Sequence, residues 1–400
     1  MKKAVLTAAA LLILPHNTVC AAENDNSAKN GLKYEISNGQ ATITGGTKSV
    51  SALVIPSEID GLPVTAIAND AFAGNTAIKE CVLPDSIKTV GARAFSTCPN
   101  LTSLSIGKNL SFIGDYAFTA CPELSAIDVN SANPTYSTVN GSLYKNGGDL
   151  LLYAGGADAV ISGKTTSVCK GAFFGRTDIV SVELPESVTS VGENAFAGCL
   201  SLKSVDIPDS VTTLGKGCFM SCNSIESVCL GKSVTALPDN CFYSCTSLNS
   251  INLPESASTV GNEAFYGCTA LSGVYIPSSV TAFGNDSLGR RYSVRSSSSE
   301  NITGFVITGK KGSSAEKYAA GYGIAFKAVT FSKGDVNGDG FIDAVDASVV
   351  LNEYSRLSSG KPSKFDTEHK KVSDWNGDSI TDAVDASGIL KKYAELSSAE

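Results

Sequence analysis

Two twelve-residue segments near the C-terminal end repeat the same spacing of oxygen-bearing side chains. The first runs from Asp335 to Asp346 and the second from Asp374 to Asp385, and both carry Asp or Asn at positions 1, 3, 5, 9 and 12. A calcium ion takes about six to eight oxygen ligands, and this spacing supplies them from one tightly wound loop. The pattern therefore predicts two calcium sites, each completed by the backbone carbonyl of position 7.

One such loop alone is a weak signal, whereas two in one terminal segment are specific. The predicted ligands are the five side chains and the position 7 carbonyl of each loop. They are Asp335, Asn337, Asp339, Phe341, Asp343 and Asp346 in the first loop, and Asp374, Asn376, Asp378, Ile380, Asp382 and Asp385 in the second.

The N-terminal residues are typical of a secretory signal peptide. Lys2 and Lys3 precede an apolar run over residues 4–14, and small residues suit cleavage after Ala21. No other apolar run approaches the ~20 residues that a membrane helix needs. We therefore expect a signal peptide over residues 1–21, no membrane span, and secretion of the remaining chain.

The net charge argues against nucleic acid as a partner, and the residue composition argues against two classes of catalytic site. The formal net charge is −8 and no basic stripe occurs, so nucleic acid is not an expected partner. The only histidines are His16, in the signal peptide, and His369, near the C-terminal end. No zinc ligand set and no serine-hydrolase motif precedes the C-terminal segment.

The central part of the chain is a repeat. A phenylalanine recurs every twenty-three residues in two runs, first Phe72, Phe95 and Phe118, then Phe173, Phe196, Phe219, Phe242 and Phe265. Each unit reads approximately L-x-x-V-x-I-P-x-S-V-x-x-L-G-x-x-A-F-x-x-C. A fixed period in the twenties with this core indicates a leucine-rich-repeat solenoid of about ten coils, which we place over residues 53–290.

Each coil is predicted to have three sides. In one unit, Val205 and Ile207 alternate with polar residues and indicate a short strand. Residues 208–210 (Pro-Asp-Ser) then turn the chain, and Gly215 permits a second corner. The repeat phenylalanine is expected on a short helical or 3₁₀ side, so the predicted fold class is an α/β repeat whose coils must stack to bury their faces.

An insertion of thirty-two residues separates the two phenylalanine runs. Within about residues 130–165, Asn140-Gly141 and Asn146-Gly147 are turn dipeptides between apolar segments. This arrangement predicts β-hairpin strands that project from the solenoid. Two interpretations of the insertion remain open, a binding element and a structural spacer.

Half of the twelve cysteines form a column. They follow the repeat phenylalanine by three residues: Cys98, Cys121, Cys199, Cys222, Cys245 and Cys268. We expect buried thiols that fill a small apolar site and donate weakly to backbone carbonyls. Disulfides between neighbouring coils are the alternative, and a catalytic role is disfavoured because the usual activating histidine is absent.

The ends of the solenoid are expected to be capped. Residues 22–52 are assigned to N-terminal cap strands and residues 291–331 to a C-terminal cap. Within the latter, residues 293–300 are predicted as a loop, residues 313–320 as a helix capped by Ser313, and residues 304–309 and 324–329 as strands. Residues 332–400 then form a separate C-terminal domain.

The solenoid resembles the BspA-like (Treponema pallidum type) leucine-rich-repeat family. The resemblance is carried by the turns at residues 185–188 (Pro-Glu-Ser-Val) and 208–211 (Pro-Asp-Ser-Val), by the Gly-x-x-Ala-Phe-x-x-Cys segments, and by the cap at residues 312–319. It implies a surface or secreted protein that binds other molecules, and it implies no shared chemistry.

The C-terminal domain resembles a type I-like dockerin, similar to those of rumen Ruminococcus. Aspartate at position 12 of both loops and the identical segments Ala344–Ser348 and Ala383–Ser387 carry the resemblance. It implies a small all-α domain with two EF-hand-like calcium loops and helices over residues 347–354 and 386–396. Ser379 at position 6 and Thr381 at position 8 depart from the family pattern, so we expect a weaker second site.

The same resemblance implies how the domain binds a cohesin. Positions 10 and 11 of each loop, with the following helix, would contact the cohesin on a scaffoldin. The implied residues are Ala344, Val345, Ser348 and Leu351 in the first copy and Ala383, Val384, Ser387 and Leu390 in the second. Because the copies are nearly identical, we expect two equivalent faces related by a pseudo-twofold axis.

Together these features favour a non-catalytic, secreted component of a cellulosome. The dockerin would recruit the chain to a scaffoldin, and through it to the cell surface, while the solenoid would bind a protein or a cell-wall polysaccharide. The alternative is a hydrolase active in polysaccharide degradation. Glycoside hydrolysis needs two carboxylates at a fixed separation, yet the recurring acids, such as Asp209 and Glu255, fall at solvated turns.

Overall fold

A computed structural model describes residues 31–46, 49–329, 332–337, 341–360, 363, 365 and 367–398. The predicted signal peptide and the predicted ligand Asp339 lie outside these residues. The chain divides into two compact units. One consists of residues up to 271 together with 284–300, and the other of residues 272–283 together with 301–400.

The first unit contains short strands joined by turns. In chain order these are β1 (Leu32–Ser37), β2 (Gln40–Gly46), β3 (Ala52–Val54), β4 (Glu58–Ile59), β5 (Leu62–Ile67), β6 (Glu80–Leu83), β7 (Thr89–Val90), β8 (Ser103–Ile106), β9 (Phe112–Ile113), β10 (Ala126–Val129), β11 (Tyr136–Val139), β12 (Ser142–Lys145), β13 (Asp149–Leu152), β14 (Asp158–Val160), β15 (Ser167–Val168), β16 (Ser181–Glu183), β17 (Ser190–Val191), β18 (Ser204–Asp206), β19 (Thr213–Leu214), β20 (Ser227–Cys229), β21 (Ala236–Leu237), β22 (Ser250–Asn252) and β23 (Thr259–Val260).

The remaining elements follow in the chain. They are β24 (Gly273–Ile276), β25 (Ala282–Phe283), β26 (Arg290–Ser293), β27 (Ser298–Asn301), β28 (Val306–Gly309), α1 (Ser314–Tyr322), β29 (Ala325–Ala328), α2 (Ala344–Ser358), α3 (Thr367–Ser373) and α4 (Ala383–Ser397). Residues 293–300, predicted as a loop, instead contribute to β26 and β27.

Each coil of the first unit contributes one short strand to a first side and one to a second side, and strands of neighbouring coils pair in parallel on each side. On the second side, β5, β7 and β9 lie in one sheet, β13, β15, β17 and β19 in another, and β21 and β23 in a third. On the first side, β3, β6, β8 and β10 form one sheet and β14, β16, β18, β20 and β22 form another. In β18 the buried side chain of Val205 stands between exposed Ser204 and Asp206, as alternation along a strand requires. Val205 pairs with Val228 of the next coil, so the twenty-three-residue period sets the register.

The third side of each coil is built from turns and not from a helix, which corrects the predicted α/β repeat. Backbone N–H groups there donate alternately within the coil and to the next coil. The N–H of Ala197 donates to the Asn194 carbonyl at 3.2 Å, whereas that of Phe196 donates to the Cys218 carbonyl at 2.8 Å. A helix would use every N–H internally, so this alternation yields a β-solenoid.

Stacked phenylalanine rings form the centre of the solenoid core. Neighbouring rings lie parallel, with centroids 5.2 Å apart between Phe196 and Phe219 and 5.5 Å apart between Phe219 and Phe242. These rings are fully buried. Their burial removes large apolar areas from water and explains why the repeat keeps one aromatic residue per coil.

The cysteine column agrees with the thiol interpretation. All cysteines among the described residues are free. The Cys222 thiol donates to the Phe196 carbonyl at 3.1 Å, and the other five members of the column make the same bond one coil back. Burial raises the pKa of Cys199 and of Cys268 to about 12, so these thiols stay protonated at neutral pH.

The insertion is part of the solenoid and does not project from it, which corrects the prediction. Strands β11, β12 and β13 form an antiparallel meander through the two predicted Asn-Gly turns, and β13 then pairs in parallel with β15. Asn140 and Asn146 adopt φ values of 50° and 52°, the left-handed region that such turns need. The meander therefore extends the second-side sheet that contains β15, at the point where a regular coil would otherwise pair with it.

The second unit contains the C-terminal cap and a small helical region. In the cap, β24, β28 and β29 form a parallel sheet, and Ser313 caps α1 by accepting the N–H of Glu316, as predicted. In the helical region, a small core joins α2, α3 and α4 through buried side chains that include Val336, Val350 and Ile389. No helix among the described residues is long and apolar enough to cross a membrane.

Candidate functional site

The second acidic loop is described in full, and its carboxylates organise the backbone. Asp374 accepts the N–H groups of Gly377 and Ser379 at 2.6 and 2.9 Å. Asp385 is fully buried and accepts those of Trp375 and Asp382 at 2.7 and 2.9 Å. These bonds hold the loop backbone in a tight turn and join its first residues to the start of the following helix.

The first loop has the same framework in the residues that are described. Asp346 is fully buried and accepts the N–H groups of Val336, Asn337 and Asp343 at 2.7, 3.0 and 2.9 Å. Asp335 is also buried. Position 12 therefore has the same structural role in both loops, because it links the first residues of the loop to the start of the following helix.

The donor set of both loops consists of carboxylate, amide and backbone oxygens. Such ligands suit a hard cation such as calcium and do not suit a soft metal. Within the described residues, no three His, Cys, Asp or Glu side chains converge on one point. Asp374, Asp378 and Asp382 are half-buried or exposed and bond to backbone N–H groups instead.

Ser379 adopts the backbone conformation that the sequence pattern reserves for glycine. Its φ is +67°, in the left-handed region, where a β-carbon is strained. The N–H of Ser379 donates to Asp374, so the hydrogen bonding of the loop holds Ser379 in a conformation that is unfavourable for a residue with a β-carbon. The departure at position 6 therefore has a structural cost.

We expect Ser379→Gly to raise the unfolding free energy of this region by about 1 kcal/mol, because glycine adopts a positive φ without strain. Trp375 is the only tryptophan in the chain, so its fluorescence during urea titration reports this region alone. The matched control, Ser387→Gly within α4, should lower the free energy by about 0.5 kcal/mol. A loss of stability in Ser379→Gly would contradict the assigned strain.

The two helices begin three residues earlier than predicted. Asp343 and Asp382 are N-caps of α2 and α4, and each forms a capping box with the aspartate three residues on. The side chain of Asp343 accepts the N–H of Val345 at 2.7 Å. Because Asp343 is the N-cap, loop positions 10 and 11 belong to the first helical turn. The aspartate at position 12 thus acts as the second member of the capping box.

All eight residues implied in cohesin binding are exposed. Val345 and Val384 expose 52% and 59% of their surface, and Leu351 and Leu390 each expose 42%. Exposed apolar side chains of this size at equivalent positions produce two similar surfaces, one on α2 and one on α4. Neither surface is covered by the described part of the second unit.

Four further residues extend these surfaces and were missed by sequence reasoning. Tyr354 and Leu357 on α2, with Tyr393 and Leu396 on α4, are exposed apolar side chains. Tyr354 and Tyr393 lie three residues after Leu351 and Leu390, and Leu357 and Leu396 lie three residues further on, so all four continue the same helical stripe. This i, i+3 spacing was the signal that could have identified them.

The interiors of the two copies differ although their surfaces match. Val336 at position 2 of the first loop is buried, whereas Trp375 takes the equivalent place in the second. A β-carbon on Gly388 would lie 2.0 Å from the indole of Trp375, so glycine replaces the valine found at Val349 in α2. Trp375 is therefore a packing residue.

Two family models match the chain. The BspA type leucine rich repeat region matches residues 46–147 and 166–294 in six copies. The dockerin type I domain matches residues 333–393. Both are non-catalytic module types, and dockerin type I domains are calcium-binding modules whose partner is a cohesin. A search of curated proteins found no match.

Solved structures of bacterial leucine-rich-repeat proteins are similar to this chain. One from Eubacterium ventriosum is 18% identical with a TM-score of 0.45, over 64% of this chain and 85% of that one. The leucine-rich-repeat protein of T. pallidum is 26% identical with a TM-score of 0.29, over 61% of this chain and 89% of that one.

The fold is assigned from the coil geometry and from the family models, because these TM-scores are below 0.5. The leucine-rich-repeat model covers more than half of the chain. Its matched segments coincide with the stacked coils, and the dockerin match coincides with α2, α3 and α4. The chain therefore belongs to the BspA type leucine-rich-repeat family and carries a C-terminal dockerin type I domain.

Proposed function

We propose that this protein is a non-catalytic, secreted cellulosome component that docks through its C-terminal domain onto a scaffoldin cohesin. The observation that carries the proposal is the pair of exposed, nearly identical apolar surfaces on α2 and α4. Unpartnered apolar side chains repeated on two helices are typical of a binding surface. The dockerin match supplies the class of partner.

Calcium would bind to both loops and organise these surfaces. The ligands would be the twelve residues predicted from the sequence, including Asp339 of the first loop. Because Asp343 and Asp382 cap the helices, metal bound to the same carboxylates would fix the orientation of the first helical turns. The strain at Ser379 supports weaker binding in the second loop.

The solenoid would supply an extended surface for a protein or a cell-wall polysaccharide. Its outward side chains on the first side include a column of small polar residues, Ser181, Ser204, Ser227 and Ser250. They stand in register along the stacked coils and form a repeating face. Such regular faces suit contact with a long ligand rather than enclosure of a small one.

Capture of the chain by an immobilised type I cohesin tests the docking proposal. We expect the chain lacking residues 1–21 to be retained in calcium and released by a chelator, because the loops lose their ligand-imposed geometry. Calcium titration followed by Trp375 fluorescence reports metal binding by the C-terminal domain. Retention that is unaffected by the chelator would count against a calcium-dependent dockerin.

Incubation with a panel of cell-wall polysaccharides tests the proposed role of the solenoid. Retention on a polysaccharide without release of sugar supports a binding module, and retention of a protein partner supports the protein-binding form of the proposal. Release of reducing sugar would instead favour the hydrolase.

A further inference from the structure

Coil stacking is only partly continuous beside the insertion. The N–H of Ala120 still donates to the Phe174 carbonyl of the next coil at 3.0 Å, but the second-side strands of the two coils do not pair. The second-side sheet that contains β9 ends there, and the next one begins with the meander β11 to β13. In regular coils the N–H of each repeat phenylalanine donates to the next coil, as Phe95 does to Ala117 at 2.7 Å. At the break, the acceptor for Phe118 would be the Ala172 carbonyl, which instead accepts the N–H of Tyr153 at 2.9 Å.

Tyr153 also takes the place of a repeat phenylalanine in the core. Its ring stacks on Phe173 with a centroid distance of 4.6 Å. The meander therefore completes the stack for the second group of coils. It does not close the space beside Phe118, and a cavity of about 240 Å³ remains between the two groups.

Cys169 marks the same break in the sequence pattern. Regular coils carry glycine at this position, because a β-carbon on Gly192 would lie 2.6 Å from the Lys170 backbone nitrogen of the preceding coil. The second-side strand before Cys169 pairs with β13 of the meander and not with a strand of a regular coil. A side chain is therefore allowed at this position, and that of Cys169 lines the cavity.

The floor of the cavity is apolar and its rim is charged. Phe118, Tyr136, Leu143 and Leu152 line the cavity and are buried. The rim side chains are half-buried or exposed, and they comprise two lysines and two aspartates: Asp115, Lys145, Asp149 and Lys170. A ligand would thus bury an apolar body and keep its polar groups at the rim.

The two lysines differ in their availability. The ammonium group of Lys170 lies 3.1 Å from Asp115 and 3.3 Å from Glu193, so its charge is already balanced. Lys145 and Asp149 are directly opposite each other on β12 and β13. Within the described residues, neither of these two forms an ion pair or a side-chain hydrogen bond, which leaves one cation and one anion side by side for a ligand.

The apolar floor and the adjacent opposite charges of Lys145 and Asp149 favour one class of small ligand over others. A sugar would bury hydroxyl groups against Phe118, Leu143 and Leu152 without partners, at a cost that its rim contacts must offset. A ligand with a single charge would be attracted by one of Lys145 and Asp149 and repelled by the other. A zwitterion with an apolar side chain satisfies both charged groups and the floor.

We propose that this cavity binds a free α-amino acid with an apolar side chain. The carboxylate would pair with Lys145, the ammonium group with Asp149, and the side chain would lie on the apolar floor. A volume of 240 Å³ corresponds to about eight water molecules, which suits a ligand the size of leucine. This site is separate from the docking surfaces and from the outer face of the solenoid.

Calorimetric titration of the chain lacking residues 1–21 with L-leucine tests the proposal. We expect saturable binding with a Kd below about 1 mM. N-acetyl-L-leucine lacks the ammonium charge and L-leucinamide lacks the carboxylate, so each should bind at least about tenfold more weakly. Glucose should not bind at this cavity.

Two near-isosteric variants locate the site. Lys145→Gln and Asp149→Asn should each weaken L-leucine binding by about tenfold or more, because each removes one charge-assisted contact. Lys164→Gln, an exposed lysine outside the cavity, serves as the control and should leave the affinity unchanged. The absence of binding at about 10 mM L-leucine, or a loss of affinity in only one of the two variants, overturns the proposal.

Discussion

We expect Gly215→Ala to lower the unfolding free energy of the solenoid by about 2–3 kcal/mol. A β-carbon at this position would lie 2.3 Å from the backbone nitrogen of Glu193 and 2.4 Å from the carbonyl carbon of Gly192 in the preceding coil. Backbone atoms cannot rotate away as a side chain can, so the coils must separate. Urea unfolding followed by circular dichroism measures the effect.

The same substitution at Gly163 is the matched control. No atom lies within 4 Å of a β-carbon built there, and its φ is outside the left-handed region. Gly163→Ala should therefore be neutral or stabilise by up to about 1 kcal/mol, because alanine restricts the unfolded chain. Equal stability of the two variants would show that the coil spacing is not set by this contact.

The glycine requirement is a property of close coil stacking. Gly91, Gly114, Gly192 and Gly261 occupy the same position, and a β-carbon on each would lie 2.5 or 2.6 Å from a backbone nitrogen of the preceding coil. Pro238 is an exception within a continuous run of coils. The second-side sheet that contains β19 ends before it, and a new sheet begins with β21. At this position the backbone N–H of a regular coil donates to the preceding coil, as that of Gly215 does to Val191, and proline has no N–H to donate.

The repeat could be predicted from the sequence because its period and its core are local properties. The spacing of the phenylalanines gave the register that pairs Val205 with Val228. The turn side could not be predicted in the same way. Its residues have turn propensities compatible with a 3₁₀ segment, and only the presence of the next coil decides that the N–H of Phe196 donates outward.

The insertion shows the same limit. Both Asn-Gly turns were correctly placed, since their chemistry is local. Whether the resulting strands project or join a sheet depends on the edge offered by β15, which is far away in the sequence. Apolar residues in the meander, such as Leu143 and Leu150, are buried. Their presence in the sequence was the signal that these strands join the solenoid core.

In the C-terminal domain the calcium ligands stay a prediction, and the predicted helix starts were wrong. Loop positions 10 and 11 were treated as loop residues, yet Asp343 and Asp382 act as N-caps and bring them into the helices. An aspartate followed three residues later by another aspartate is a weaker capping signal than the usual Glu or Gln partner. The eight residues implied in cohesin binding are nevertheless all exposed, and their role in docking stays a prediction.

The paired surfaces on α2 and α4 lead to the prediction with the largest effect on binding. Our docking proposal expects the double variant Val345→Asp with Val384→Asp to lose cohesin binding by at least about a hundredfold. Both valines are exposed, so the variant should fold. In a complex, each aspartate would place an unpaired carboxylate in an apolar interface, which costs about 2–5 kcal/mol.

The single variants discriminate between one docking face and two. If the cohesin docks equally on either helix, Val345→Asp alone leaves the affinity within about twofold, because only one of two equivalent sites is lost. Val294→Asp, at an exposed valine of the solenoid unit, controls for added charge and should have no effect. Surface plasmon resonance against an immobilised cohesin measures the wild-type chain, both single variants, the double variant and the control. Abolition of binding by one single change would leave only one functional face, and the sequence identity of residues 344–348 and 383–387 would then reflect folding of the loops rather than docking.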